Sequence, residues 1–154
     1  MARRRRNMDS KEVGLVMGLT VGRYFFGSDD LHYGFWPDDL EVKPGHIKQA
    51  QENHAQLILQ TIPAGVKTIL DVGCGAGALA QRLLDTGYDV EAVSPSGLLT
   101  AQARALLGSA CPIIEAPFEQ APLPRRWRKG TDSGRTPLGS VSGSLGPLPV
   151  GECA

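Results

Sequence analysis

The residues best suited to chemistry lie together in the stretch Ile69-Leu70-Asp71-Val72-Gly73-Cys74-Gly75-Ala76-Gly77. Glycines placed between a strand and a helix let the backbone turn sharply and approach a ligand with no Cβ in the way. The start of the following helix offers unpaired N–H groups. Such a loop holds a nucleoside. The same residues also satisfy the dinucleotide pattern G-x-G-x-x-A through Gly73, Gly75 and Ala78, so the glycines alone leave two ligand classes open. Asp71 separates them. A carboxylate two residues before the first glycine points to where a cationic α-amino group would sit, whereas beside a pyrophosphate it would repel. This favours S-adenosylmethionine over a dinucleotide.

The elements that must position this loop can be read on either side of it. Behind Pro44, the positions Ile47, Ala50, His54, Leu57 and Ile58 recur at helical spacing, which predicts an amphipathic helix closed by Pro63. Val66 to Val72 is a short β-branched run of the kind buried in a parallel sheet. Ala78 to Thr86 reads as a helix with Leu79, Leu83 and Leu84 inward and Gly87 as its stop. Tyr88 to Val93 reads as a second strand, Gly97 to Leu107 as a helix capped by Ser96 and ended at Gly108, and Cys111 to Glu115 as a third strand. The alternation predicts an α/β fold: the first half of a Rossmann-like, doubly wound sheet, about three parallel strands with flanking helices.

From about Tyr24 to Pro124 the sequence resembles the class I S-adenosylmethionine-dependent methyltransferases, with Ile69 to Gly77 similar to that family's first motif. The resemblance implies that Asp71, Gly73, Cys74, Gly75 and Gly77 contact the methionyl and ribose parts of the cofactor. His32-Tyr33-Gly34-Phe35-Trp36 is similar to an aromatic segment of relatives acting on lipids, sterols, tocopherols and other small molecules. It implies that Tyr33 or Trp36 flanks the sulfonium, where a ring face stabilises a cation by about 0.5 to 2 kcal/mol. The alternative is that these rings only pack a lid on the core. The chain departs from the family twice. Ser94-Pro95 stands where an acid usually accepts bonds from the ribose hydroxyls, and Pro117-Phe118-Glu119 stands where an Asp meets the adenine. By the resemblance, Ser94 and Pro95 take the ribose side, and Phe118 and Glu119 the adenine.

Lys plus Arg (16) balances Asp plus Glu (16), so no global field selects nucleic acid or an anionic membrane. Arg3 to Arg6 reads as a solvated tail, and Asp9, Lys11 and Glu12 interrupt any secretory signal. No run reaches the roughly 18 to 20 apolar residues of a membrane span, so a cytoplasmic protein is expected. Cys74, Cys111 and Cys153 are too scattered for a disulfide framework or a zinc cluster and read as free thiols. His46 and His54 share a helix face about 12 Å apart, too far for one metal, and are assigned to packing and surface. No catalytic base is identified, which the chemistry tolerates, because a sulfonium is a strong electrophile and positioning in a desolvated pocket supplies much of the rate.

Four segments follow: a basic flexible terminus (1–12), a helical and aromatic lid (13–63), the cofactor-binding half-domain (64–124) and a low-complexity tail (125–154) expected to be disordered. Beyond Pro124 a fourth strand is expected but not found, and the Gly-, Ser-, Pro- and Arg-rich tail suits an out-of-frame or prematurely ended translation. A genuine short protein with a flexible basic tail is the alternative; another frame of the encoding DNA must supply a strand-like continuation if the first is right. The reading is thus a methyltransferase for a small-molecule acceptor, lipid-like ones included, truncated and of weak or no activity as this chain. It leaves the first strand with a bare edge open to self-association. A nicotinamide-dependent oxidoreductase fragment, with Ser94 serving a 2′-phosphate, and a non-catalytic partner module are the other hypotheses.

Overall fold

The computed structural model describes residues 10–124 and Trp127; the basic run Arg3 to Arg6 and the rest of the tail lie outside the described residues. Helix α1 (Ser10–Val21) passes into a π-helical turn, Gly22–Phe26, which stops at Gly27 in a left-handed conformation (φ 60°). An extended loop leads to the 3₁₀ turn Pro44–His46 and α2 (Ile47–Thr61). Then β1 (Thr68–Val72), α3 (Ala78–Asp85), β2 (Asp89–Ser94), α4 (Gly97–Leu107) and β3 (Ile113–Glu115) alternate as expected. The strands form one parallel sheet in the order β1-β2-β3, with Thr68 opposite Asp89, Val72 opposite Val93 and Ala92 opposite Ile113.

Each strand begins or ends slightly away from its predicted place. Val66 is drawn out of β1 because its N–H closes a turn onto the Pro63 carbonyl (3.3 Å). β3 loses Cys111 and Pro112, the latter having no N–H to give a ladder. The core lies between the sheet and the helices α3 and α4, where Ala80, Leu83, Val90, Ala92, Ala103 and Leu107 are buried. β2 is the most deeply covered strand. β1 and β3 are the edge strands among the described residues, and all five residues of β1 are half-buried.

The N-terminal segment is fixed to this core by polar ties. Ser96 accepts from the Leu99 N–H as the α4 cap and donates its hydroxyl hydrogen to Glu12 of α1 (2.9 Å). The α2 stripe is buried at Ala50, Ala55 and Ile58, but also at Gln51, a polar residue that periodicity did not mark. Gln51 Nε2 donates to the carbonyls of Asp30 and His32 (both 3.0 Å), while its Oε1 accepts from Ser28 Oγ (2.6 Å). One buried amide therefore holds the whole loop 28–32. Directly after it, the Phe35 N–H donates to the Ala50 carbonyl (2.7 Å). Gly34 makes this approach possible: a Cβ there would overlap the Ala50 methyl and come within 2.9 Å of its carbonyl carbon.

Replacement of Gly34 by Ala is therefore expected to push the aromatic segment off α2. Overpacking of this kind costs about 1 to 3 kcal/mol, and urea denaturation of the full chain should register it. A variant as stable as wild type would show that the segment does not pack as described.

Candidate functional site

The loop after β1 is built by three glycines with positive φ: Gly73 (82°), Gly75 (57°) and Gly77 (94°), conformations that side-chain-bearing residues rarely adopt. The amides of Gly73 and Cys74 both donate to the Val93 carbonyl (2.8 and 3.3 Å), and that of Gly77 donates to the Cys74 carbonyl (2.9 Å). These bonds fix the bend against the end of β2. Above it opens a cavity of about 620 Å³, within the range typical of small-molecule sites. Asp71, Val72, Gly73, Cys74 and Gly75 line it from the loop; Asp30, His32, Tyr33 and Phe35 from the N-terminal segment; His54 and Ile58 from α2.

Asp71 stands out by its electrostatics. Its Oδ2 is fully shielded and has no hydrogen-bond partner among the described residues, although the residue as a whole is only half-buried. Burial pushes its pKa from 3.8 up to about 6. An unpaired buried carboxylate is costly and normally has a partner, so this oxygen calls for a donor, a cationic one best of all. Asp29 and Asp30 also line the cavity, whereas among the described residues no Lys or Arg does. Asp29 pairs with Arg23 outside it, and Asp30 lies 4.0 Å from Arg82, which pairs in turn with Glu52. The Cys74 and Cys111 thiols are free, and burial with the nearby Asp71 pushes them up to about 12 and about 11. Neither is a nucleophile at neutral pH.

The cavity gathers Asp71, Gly73, Cys74, Gly75 and Tyr33 from the candidate residues of the sequence, and leaves the others outside its lining. Gly77 faces α4 instead, where a Cβ would meet Leu107 and Ala103 at 3.1 and 3.2 Å, so its smallness serves helix packing. Trp36 is half-buried off the cavity, and Phe35 lines it in its place. Ser94 is 1% exposed, covered at the end of β2 with its hydroxyl unpaired among the described residues, and Pro95 beyond it faces solvent. Phe118 (45% exposed) and Glu119 ride an outlying 3₁₀ turn. Glu91 accepts a hydrogen bond from Trp127 Nε1 (2.7 Å) in mid-strand and is not part of the cavity lining. His46 Nδ1 meets the Glu41 carbonyl, whereas His54, assigned with it to packing and surface, lines the cavity side by side with His32. Their meeting could not be read from spacing, since they lie on different segments. The signal was a histidine on an otherwise apolar helix stripe.

A glycine bend after the first strand of a parallel sheet is the arrangement of a Rossmann-like half-sheet. A family model described as a methyltransferase domain matches residues 70–126. An uncharacterized methyltransferase of Geobacillus sp. (strain WCH70) is 26% identical over 104 residues, covering 68% of this chain and 49% of that protein. Among solved structures, the [4+2]-cyclase SpnF superposes with a TM-score of 0.56 at 21% identity, over 73% of this chain and 41% of that one. The mycolic acid cyclopropane synthase CmaA1, solved with SAH and CTAB, gives 0.52 at 19% identity, over 73% and 42%. Residues 70–126 are thus similar to a methyltransferase domain, and the described residues share the fold of these solved structures. The chain spans about half the length of the curated relative it matches. No described helix is long and apolar enough to cross a membrane, and no group of metal-ligating side chains forms among the described residues.

The raised Asp71 pKa has a consequence for stability. Between 3.8 and about 6 the folded chain holds a proton that the unfolded chain has released, so this group's contribution to stability falls as pH rises through that window and stays lowered above it. Asp71→Asn should make the ligand-free chain more stable than wild type near pH 7, by about 2 to 3 kcal/mol at most, with the gain vanishing below about pH 4. Urea denaturation at the two pH values measures it. A variant less stable than wild type at neutral pH would mean that the carboxylate has a partner.

Proposed function

We propose that the chain is the S-adenosylmethionine-binding part of a methyltransferase that acts on a small, largely apolar molecule. The observation that carries this reading is the shielded, unpaired Oδ2 of Asp71 at the mouth of the glycine bend. The residues present fit the cofactor: Asp71 would take the α-ammonium of its methionyl end, and Gly73 to Gly75 would let its ribose lie against the backbone. Tyr33 and Phe35 would offer ring faces to the sulfonium. Three aspartates on the cavity wall, with no Lys or Arg among the described residues that line it, suit a cation and disfavour a pyrophosphate, which weighs against a nicotinamide cofactor. When bound, the cofactor supplies an electrophilic methyl group. The chain's own part is to hold it, to exclude water and to leave room for the acceptor.

In this reading the segment 13–63 acts as a lid, tied down by Gln51 and Gly34, and its apolar Leu31, Phe35 and Ile58 face the acceptor. The relative CmaA1 was solved with SAH and CTAB, a nucleoside product and an amphiphile, which supports a lipid-like acceptor without narrowing it further. The open edge of β1 supports self-association as a second property, with two such edges pairing.

Titration calorimetry on the full chain with S-adenosylhomocysteine, NAD and NADP tests the reading. Saturable heat is expected with S-adenosylhomocysteine alone, weakened at least about tenfold in Asp71→Asn, since a hydrogen bond to a charged group is worth about 1.5 to 3 kcal/mol. Binding of NAD or NADP in preference would overturn it. Light scattering on the same samples reads self-association as a mass that grows with concentration.

A further inference from the structure

Helix α1 and the turn after it carry apolar side chains on the side that the core does not use. The inner side is occupied: Leu19 and Gly22 are buried, Leu15 lines the cavity, and Glu12 accepts a hydrogen bond from Ser96. The outer side holds Val13, Met17 (58% exposed), Val21 and Phe25 (69% exposed), which follow one another at four-residue steps and so form one row along the helix. Tyr24 (81% exposed) meets Phe25 edge-on, with ring centroids 4.9 Å apart. No charged residue stands between Glu12 and Arg23, and Arg23 is held to Asp29 and Gln102. A helix that is apolar on both sides is normally covered on both. An exposed apolar row rimmed by charge marks a docking surface.

We infer that this face docks the chain on a bilayer surface that bears anionic lipid. The occupant follows from charge. Four arginines, Arg3 to Arg6, against one acid, Asp9, precede the helix, with three residues between Arg6 and Ser10. Whatever covers the row therefore meets concentrated positive charge as well as an apolar ridge, and a lipid surface with anionic headgroups complements both. A second copy of the chain complements only the ridge. Among the described residues it offers no uncommitted acid along α1 and its turn, since Glu12 is tied to Ser96 and the neighbouring Asp29 to Arg23. Tyr24, an apolar ring with a hydroxyl, suits the depth of the headgroups. The apolar surface also runs on to the cavity: Leu31, exposed and part of the cavity lining, rests on α1 at Gly18, where a Cβ would come within 3.2 Å of it. A bilayer docked on α1 thus lies beside an apolar wall of the cavity. The docking does not depend on which cofactor the cavity takes.

Cosedimentation of the full chain with vesicles tests this. Binding is expected to vesicles of equal parts phosphatidylcholine and phosphatidylserine, weaker by at least about tenfold on phosphatidylcholine alone and falling as salt is raised. Exchange of Arg3 to Arg6 for Gln should cost at least about tenfold on the mixed vesicles. The double variant Met17→Gln with Phe25→Gln should also lose at least about tenfold, because two large apolar side chains no longer enter the lipid. Val42→Gln, at an exposed apolar position on a loop outside α1, should bind as wild type. Circular dichroism shows whether each variant is folded, and the arginine exchange, which lies outside α1, decides the matter if the double variant unfolds. Absence of binding to the mixed vesicles, equal binding to both kinds of vesicle, a folded double variant that binds as wild type, or a Val42 variant weakened as much as the double one would overturn the proposal. So would a particle mass that grows with concentration in wild type but not in the double variant, without vesicle binding, since the row would then join two copies of the chain.

Discussion

A carboxylate oxygen that is shielded from water and has no described partner governs this molecule. Asp71 sits where β1 gives way to the glycine bend, a position that burial makes unfavourable for a charge. The surrounding structure keeps it there: the Val93 carbonyl engages two amides of the bend, and β1 is zipped to β2 along its full length. Such stored cost is common at functional sites, where it is relieved by the ligand. The acidic lining, which among the described residues holds no Lys or Arg, extends the same preference over the cavity.

The second constraint is the closeness of the N-terminal loop to α2. Gly34 against Ala50, and Gln51 bridging Ser28, Asp30 and His32, convert a stretch with no regular secondary structure into a rigid wall. Arg82 couples that wall to α3 through Asp30 and Glu52, and its pairing holds the Glu52 carboxyl below its usual range. The cavity therefore has one wall set by the sheet and another set by side-chain amides and ion pairs. A ligand filling it would touch segments far apart in the chain, which is how binding would stabilise the fold as a whole.

The half-sheet and the helices α2, α3 and α4 were legible in the sequence because each rests on local periodicity and on Pro, Ser or Gly at its ends. Ser96 and Gly108 bound α4 as expected. Strand ends were less legible, because a turn at Pro63 and the missing N–H of Pro112 decide them rather than β-propensity. At the site, Asp71, Gly73, Cys74 and Gly75 were visible as a contiguous motif. Ser94, Pro95, Phe118 and Glu119 were carried over by position in a family, and here they fall outside the cavity lining because the bend closes onto Val93 and the 3₁₀ turn faces outward. The His32 and His54 pair was illegible, since its meeting depends on how a loop lies across a helix. The same holds for Gln51, whose polarity made it look solvent-facing.

The central claim is that the Asp71 carboxylate awaits an ammonium group. Its side-chain carboxyl ¹³C resonance, assigned by its loss in Asp71→Asn and followed against pH with and without S-adenosylhomocysteine, tests that directly. In the free chain the midpoint should lie at about 6, and saturation with S-adenosylhomocysteine should move it down, because a nearby positive charge favours the ionised form. A midpoint unmoved by the ligand, or one already at the ordinary aspartate value in the free chain, would contradict the account.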